Sequence, residues 1–174
     1  MREGPLANVK VLDLTRILAG PYCTMLLADM GADVVKVEPP GTGDQTRQVG
    51  PFIDPVGKDR GTSGFFNSLN RNKKSFAVDL KSPEGRQIML DMIPHFDVVV
   101  ENFRGGVMDG YGLGYDVLRE LNPRLIYASL RGFGDARLIG TNYPDRPSVD
   151  LIVQAVSGIM SITGSPAGDM YKAG

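Results

Sequence analysis

LDLTRILAGPYCTMLLADMGADVVKVEPPGTGD, residues 12–44, reads as a strand, a sharp loop, a helix, a turn, a second strand and a second loop. Val9, Val11, Leu12 and Leu14 form the short apolar run that a strand covered on both faces requires. The polar pair Thr15 and Arg16 ends it. In Ala19, Gly20 and Pro21, glycine permits backbone angles closed to other residues and proline suits the first turn of a helix. Residues 23–30 are rich in helix formers, and Gly31 stands where a helix stops. Val34, Val35 and Val37 make a second, β-branched strand. Glu38, Pro39, Pro40 and Gly41 end it, because proline has no ladder donor and restricts the residue before it. Two parallel strands joined by a helix form a βαβ unit, and ligands of such sheets collect beyond the carboxyl ends of the strands. Residues 15–21 and 38–46 are therefore candidate ligand loops. Neither carries G-x-G-x-x-G or G-x-x-x-x-G-K-[ST], and residues 41–44 read as an ordinary glycine-rich turn.

The remaining chain alternates in the same way. Residues 45–65, with Pro51, Pro55 and four glycines, form a long connection without regular structure. Residues 70–74 (NRNKK) carry three cations and fit either a solvated turn or an anion-binding loop. Residues 75–80 are a third strand. Ser82, Pro83 and Glu84 open a helix as N-cap, first-turn proline and first-turn acid, and Ile88, Met89, Met92 and Ile93 are its core-facing stripe. Residues 97–101 (DVVVE) are a fourth, central strand that runs into a third candidate ligand loop at Asn102 and Phe103. Asn102 offers donors and an acceptor and Phe103 a stacking face, or the two cap a turn and fill the core. A helix at 115–121, a fifth strand at 125–130 and a helical pattern over 148–162 complete an α/β domain with a mainly parallel sheet. Asp150 and Gln154 share one face of that last helix.

Composition narrows the function. The 174 residues fit one domain, and 42% hydrophobic content suffices for a core. A net charge of −1 without a basic or acidic block gives no footprint for nucleic acid or a membrane surface. No apolar run reaches the length of a bilayer span, and the first ten residues lack the apolar core of a signal peptide. The single cysteine, Cys23, suits a reducing compartment and reads as a buried small side chain. With one cysteine and one histidine, a His/Cys metal cluster and a Cys–His dyad are both disfavoured. His95 follows Pro94 at a helix end and needs no special site.

LDLTRILAGP (12–21), GADVVKVEPPGTGD (31–44), LNRNKKSFAVDLKSPEG (69–85), VVVENFRGG (98–106), GLGYDVL (112–118), LNPRLIYASLRGFG (121–134) and DLIVQAVSG (150–158), in this order, resemble the family III CoA-transferases. That family includes formyl-CoA, carnitine and succinyl-CoA:glutarate-type transferases and also α-methylacyl-CoA racemase. The resemblance implies a Rossmann-like, mainly parallel sheet with flanking helices, and no metal. It implies an acyl-CoA and a carboxylic acid as substrates, an interlocked homodimer, and a cytoplasmic location, or a mitochondrial or peroxisomal one in a eukaryote. Full members are much longer, so the chain is expected to be the N-terminal part of the large domain, with the smaller second domain absent. The loop-like GSPAGDMYKAG at 164–174 agrees with that.

The resemblance also implies residue roles. The family's nucleophilic aspartate is expected beyond Gly174, since Asp169 falls in a variable turn. Leu18 and Ala19 would lie against CoA, and Val78, Asp79, Leu80 and Lys81 along its adenosine diphosphate part. Asn102 and Phe103 would stand beside the pantetheine arm. Pro39 and Gly110 occupy places where the family often has arginine, which leaves Arg47, Arg71, Lys73 or Arg104 as substitute phosphate contacts. Asp150 takes an acidic position with a supporting role. Val149 stands where the racemases have a histidine, and valine moves no proton. Two other readings stay open at this point: an α-methylacyl-CoA racemase-like enzyme, and an inactive CoA-binding fragment.

Overall fold

Val11, Leu12, Val34 and Val99 are wholly shielded from solvent, because the strands that carry them are sandwiched between helices on both faces. The computed structural model describes residues 3–53, 63–135, 146, 148–166 and 168–173. The chain forms two units, Met1–Leu130 and Arg131–Gly174. In the first, β1 (Lys10–Asp13), β2 (Asp33–Glu38), β3 (Lys74–Ala77), β4 (Val98–Glu101) and β5 (Ile126–Ser129) make one sheet in the order β3-β2-β1-β4-β5. Every neighbouring pair is parallel. The α/β architecture expected from the alternating pattern is the one observed.

Alternation along β1 divides the core. Leu12 points to the face packed by Met89 and Ile93, together with Leu118, and Val11 to the face packed by Ala28 and Ala32. The first face is covered by α3 (Pro83–Met92) and α5 (Tyr115–Leu121), the second by α1 (Ala19–Asp29). A short α4 (Val107–Gly110) follows β4, and α2 (Gly64–Asn70) precedes β3.

Three boundaries differ from expectation. Helix α1 starts at Ala19, four residues before position 23, because Pro21 falls in the first turn, where an N–H has no partner to lose. Gly31, at φ 100°, turns the chain out of that helix as expected. Strand β3 stops at Ala77, so residues 78–80 lie beyond the sheet and not within it. The helical pattern over 148–162 is two helices in the second unit, α6 (Asp150–Val156) and α7 (Ile159–Ile162), separated at Ser157 and Gly158. The expected connection at 45–65 includes a 3₁₀ turn, Gln45–Gln48, and an antiparallel bridge between Phe52 and Ser63. Residues 54–62 within it, and residues 136–145 after β5, lie outside the described residues.

Candidate functional site

Each of the three central strands ends in a buried carboxylate: Asp13, Glu38 and Glu101. An ionised group there is tolerable only if its oxygens are filled by donors, and each acid takes at least one donor from the loop that leaves its own strand and the others from neighbouring elements. Asp13 Oδ1 accepts from the Thr15 amide at 2.9 Å and from Thr15 Oγ1; Oδ2 accepts from Thr24 Oγ1 at 2.6 Å and from Lys73 Nζ at 3.0 Å. Glu38 Oε1 accepts from the Asp44 amide and Arg47 Nε, and Oε2 from Arg47 Nη2 and Ser75 Oγ. Glu101 accepts from the Phe103 amide and from Ser129 Oγ. The strand ends thus brace the ligand loops.

Lysine 36, 1% exposed in the middle of β2, joins two of these loops: Nζ donates to the Thr15 carbonyl at 2.9 Å and pairs with Asp44 Oδ2 at 3.0 Å. Asp44 in turn caps the 3₁₀ turn, accepting from Thr46. Burial would raise the Glu38 carboxyl, but hydrogen bonds from Arg47, the Asp44 amide and Ser75 outweigh it and hold its pKa down at about 2. Burial pushes the Lys73 ammonium down from its ordinary value, against the pull of Asp13.

In many sheets of this order an acid at the end of the second strand binds a dinucleotide ribose. Glu38 occupies that place, but its two oxygens already take four donors. It is a loop brace.

Beyond these braces a cavity of about 430 Å³ opens at the carboxyl edge of the sheet. Leu14 and Arg16 reach it from β1, and Pro39, Pro40 and Thr42 from the loop after β2. Val78, Asp79, Leu80 and Lys81 line it from the segment after β3, and Phe103 and Tyr111 from beyond β4. Three of the expected ligand loops therefore share one crevice. Its wall mixes apolar side chains with two cations, Arg16 and Lys81, and two acids, Asp79 and the braced Glu38, a lining suited to a ligand with a charged and an apolar part. The segment after β3 is held by the Val78 amide donating to the Glu38 carbonyl at 3.0 Å and by Asp79 Oδ1 accepting from the Lys81 amide at 2.9 Å.

Of the residues expected at a ligand, Val78, Asp79, Leu80, Lys81 and Phe103 line this cavity. Asn102 stands beside it, with its side-chain amide bonded both ways to the backbone of Arg16. Leu18 and Ala19 are exposed at the start of α1 and are not in the cavity wall. Three of the four proposed substitute cations are committed elsewhere: Arg47 to Glu38, Arg71 to Asp29, and Lys73 to Asp13. The Arg71 guanidinium holds the Asp29 carboxyl below its usual range. Arg104 is exposed. The NRNKK turn is accordingly neither plain reading: Lys73 is buried inside the fold, and Asn72, at φ 63°, donates to Asp29. Cys23 is half-buried.

In the second unit, Asp150 opens α6, and its Oδ2 accepts from Gln154 Nε2 at 2.8 Å. Gln154 also clasps the backbone of Ala173 in both directions. Sequence reasoning placed Arg16 and Glu38 in candidate ligand loops without giving either a role, and missed Tyr111 and the braces at Asp13 and Glu101. The acids had a readable signal, a single charge closing each of three apolar runs, VLD, VVKVE and VVVE.

The family model for CoA-transferase family III matches residues 6–174. Over 98% of this chain, the sequence is 53% identical to succinyl-CoA:mesaconate CoA-transferase from Haloarcula hispanica, covering 43% of that protein. It is 45% identical over 99% of its length to succinate–glutarate CoA-transferase from Agrobacterium fabrum, covering 42% of it. Among solved structures, a CAIB/BAIF family protein from Brucella suis matches all of the chain with a TM-score of 0.88 and 41% identity, across 44% of that protein. The chain thus spans less than half the length of these relatives. The parallel sheet, the match across residues 6–174 and these likenesses agree: the chain belongs to CoA-transferase family III.

Proposed function

We propose that the whole protein moves CoA from an acyl-CoA to a carboxylic acid, and that the crevice at the carboxyl edge of the sheet holds the CoA. The observation that carries this is the meeting of Val78, Asp79, Leu80, Lys81 and Phe103 in one cavity of a family III chain. Lys81 serves as a point cation for a phosphate, with Val78, Asp79 and Leu80 along the adenosine diphosphate. Phe103, beside Asn102, gives the pantetheine arm an apolar face, and Leu18 and Ala19 flank the ligand from the start of α1. The relatives' names suggest succinyl-CoA as donor and a dicarboxylic acid as acceptor.

The nucleophile in this reading is an aspartate roughly five residues past Gly174, with Asp150 as a supporting acid. Its carboxylate attacks the donor thioester, releasing CoA thiolate and leaving a mixed anhydride. The thiolate then attacks the enzyme-side carbonyl, expelling the donor acid and forming an enzyme thioester. The acceptor carboxylate reverses both steps and leaves as the new acyl-CoA. Splitting one acyl exchange in this way divides a difficult step into easier ones. The chain is then the N-terminal part of the large domain of a cytoplasmic, interlocked homodimer, and alone it binds CoA without turnover.

Incubating the whole protein with succinyl-CoA and mesaconate or glutarate, with the thioesters resolved by mass, tests this. The acceptor's CoA thioester is expected. No exchange contradicts it, and rapid deuterium uptake at the α-carbon of a 2-methylacyl-CoA without any acceptor contradicts it in favour of a racemase. Val149, in the place of the racemase histidine, argues against that second outcome.

A further inference from the structure

Ile17 stands at φ 69°, in the left-handed region that a β-branched residue avoids. Its side chain is 44% exposed, so packing does not demand it there. Such outliers persist where the surroundings over-determine them, and they cluster at functional positions. Here the constraint is Asn102. The Arg16 amide donates to Asn102 Oδ1 at 2.8 Å, and Asn102 Nδ2 donates to the Arg16 carbonyl at 2.8 Å. The loop after β4 thus grips one residue of the loop after β1. The group this grip delivers is the Arg16 guanidinium, whose Cζ lies 4.8 Å from the Phe103 ring centroid on the cavity wall. Stacked by one face on an aromatic ring, a guanidinium keeps its in-plane N–H groups for an acceptor. Among the described residues Arg16 forms no ion pair, unlike Arg47, Arg71 and Lys73.

We propose that Arg16 binds an oxyanion in this cavity and that Asn102 is the positioning residue that holds it there. The proposal deepens the CoA reading of the same cavity and rests on it for the source of the anion: a phosphate of CoA or the carboxylate of an acid substrate. A planar fork suits either one bidentately.

Calorimetric titration of the 174-residue chain with CoA, phosphate-free pantetheine and succinate separates the possibilities, using wild type, Arg16→Met, Asn102→Ala and the double variant. Arg16→Met is expected to weaken one anionic ligand by about 10- to 100-fold, the scale of a charge-assisted hydrogen bond, and to leave pantetheine unchanged. A loss for CoA identifies phosphate, and a loss for succinate identifies carboxylate. Asn102→Ala is expected to weaken the same ligand by about 3- to 10-fold, and to add nothing in the Arg16→Met background, because it acts through Arg16. Arg16→Met alters an exposed side chain and carries the anion test alone if Asn102→Ala fails to fold. Unchanged binding of both anions by Arg16→Met overturns the proposal while CoA binding keeps the functional reading. Additive losses, or an equal loss of pantetheine in Asn102→Ala, overturn the positioning role. A wild type that binds succinate through Arg16 but not CoA overturns the CoA reading alone, and one that binds neither anion overturns both.

Discussion

Glu38 shows how one side chain can be read in the wrong register of chemistry. In sequence it is the last residue of a strand, before two prolines; in the structure it is 4% exposed and takes four donors. Its folded pKa of about 2 lies below the ordinary glutamate value of 4.5. A depressed acid contributes stability that is complete above the unfolded pKa and is lost as pH falls through the folded one. Glu38 should therefore stabilise the chain by about 3 kcal/mol at neutral pH, with that contribution fading between about pH 4.5 and pH 2. Urea unfolding of wild type and Glu38→Gln checks this: the gap between them should be wide at pH 6 and narrow at pH 3. A gap independent of pH would mean that Glu38 is not the titrating brace. At this level the sequence was least informative. Val78 to Lys81 and Phe103 carried motif information and do line the crevice, whereas Arg47, Arg71 and Lys73 were cations with no sign of their partners. Asp29 and Asp13 lie 42 and 60 residues from Arg71 and Lys73, and Glu38 pairs with Arg47 only because the loop after β2 folds back. Pairings of that kind are fixed by topology and not by local pattern.

The elements were far more legible. β-Branched runs at Val34 to Val37 and Val98 to Val100 became central strands, and the Ser82 cap accepts from the Gly85 amide at 2.9 Å as its position required. The end of β3 was misjudged because Val78 and Leu80 are buried as strand residues would be, at 7% and 8% exposure. They are buried instead as cavity wall and core, in a segment turning toward α3. That turn depends on one close approach. A Cβ on Gly85 would lie 2.0 Å from the Asp79 carbonyl oxygen, a backbone atom that cannot step aside alone. Gly85→Ala should therefore push residues 78–81 away from the first turn of α3. Overpacking of this kind costs about 1–3 kcal/mol, and the shift should also weaken CoA binding. Chemical denaturation paired with a CoA titration measures both. A variant with wild-type stability and wild-type affinity would detach α3 from the site.

Strand order β3-β2-β1-β4-β5 brings together loops that are distant in the chain. The order reverses direction at β1, and in open parallel sheets ligands bind at such a point, beyond the carboxyl ends of the strands. The cavity observed here spans the ends of β1, β2 and β3 and reaches Phe103 beyond β4. A parallel sheet was legible from the alternation of strands and helices. The strand order was not, since period and propensity say which segments are strands and little about their neighbours. The family motifs supplied what the local patterns lacked, and the comparisons bear out the family and the fold. Titrating isotope-labelled 174-residue chain with CoA and following its backbone amide resonances tests the central claim most directly. Saturable shifts should gather at Arg16, Thr42, residues 78–81, Phe103 and Tyr111. No saturable binding, or shifts confined to residues away from the carboxyl edge of the sheet, would contradict it.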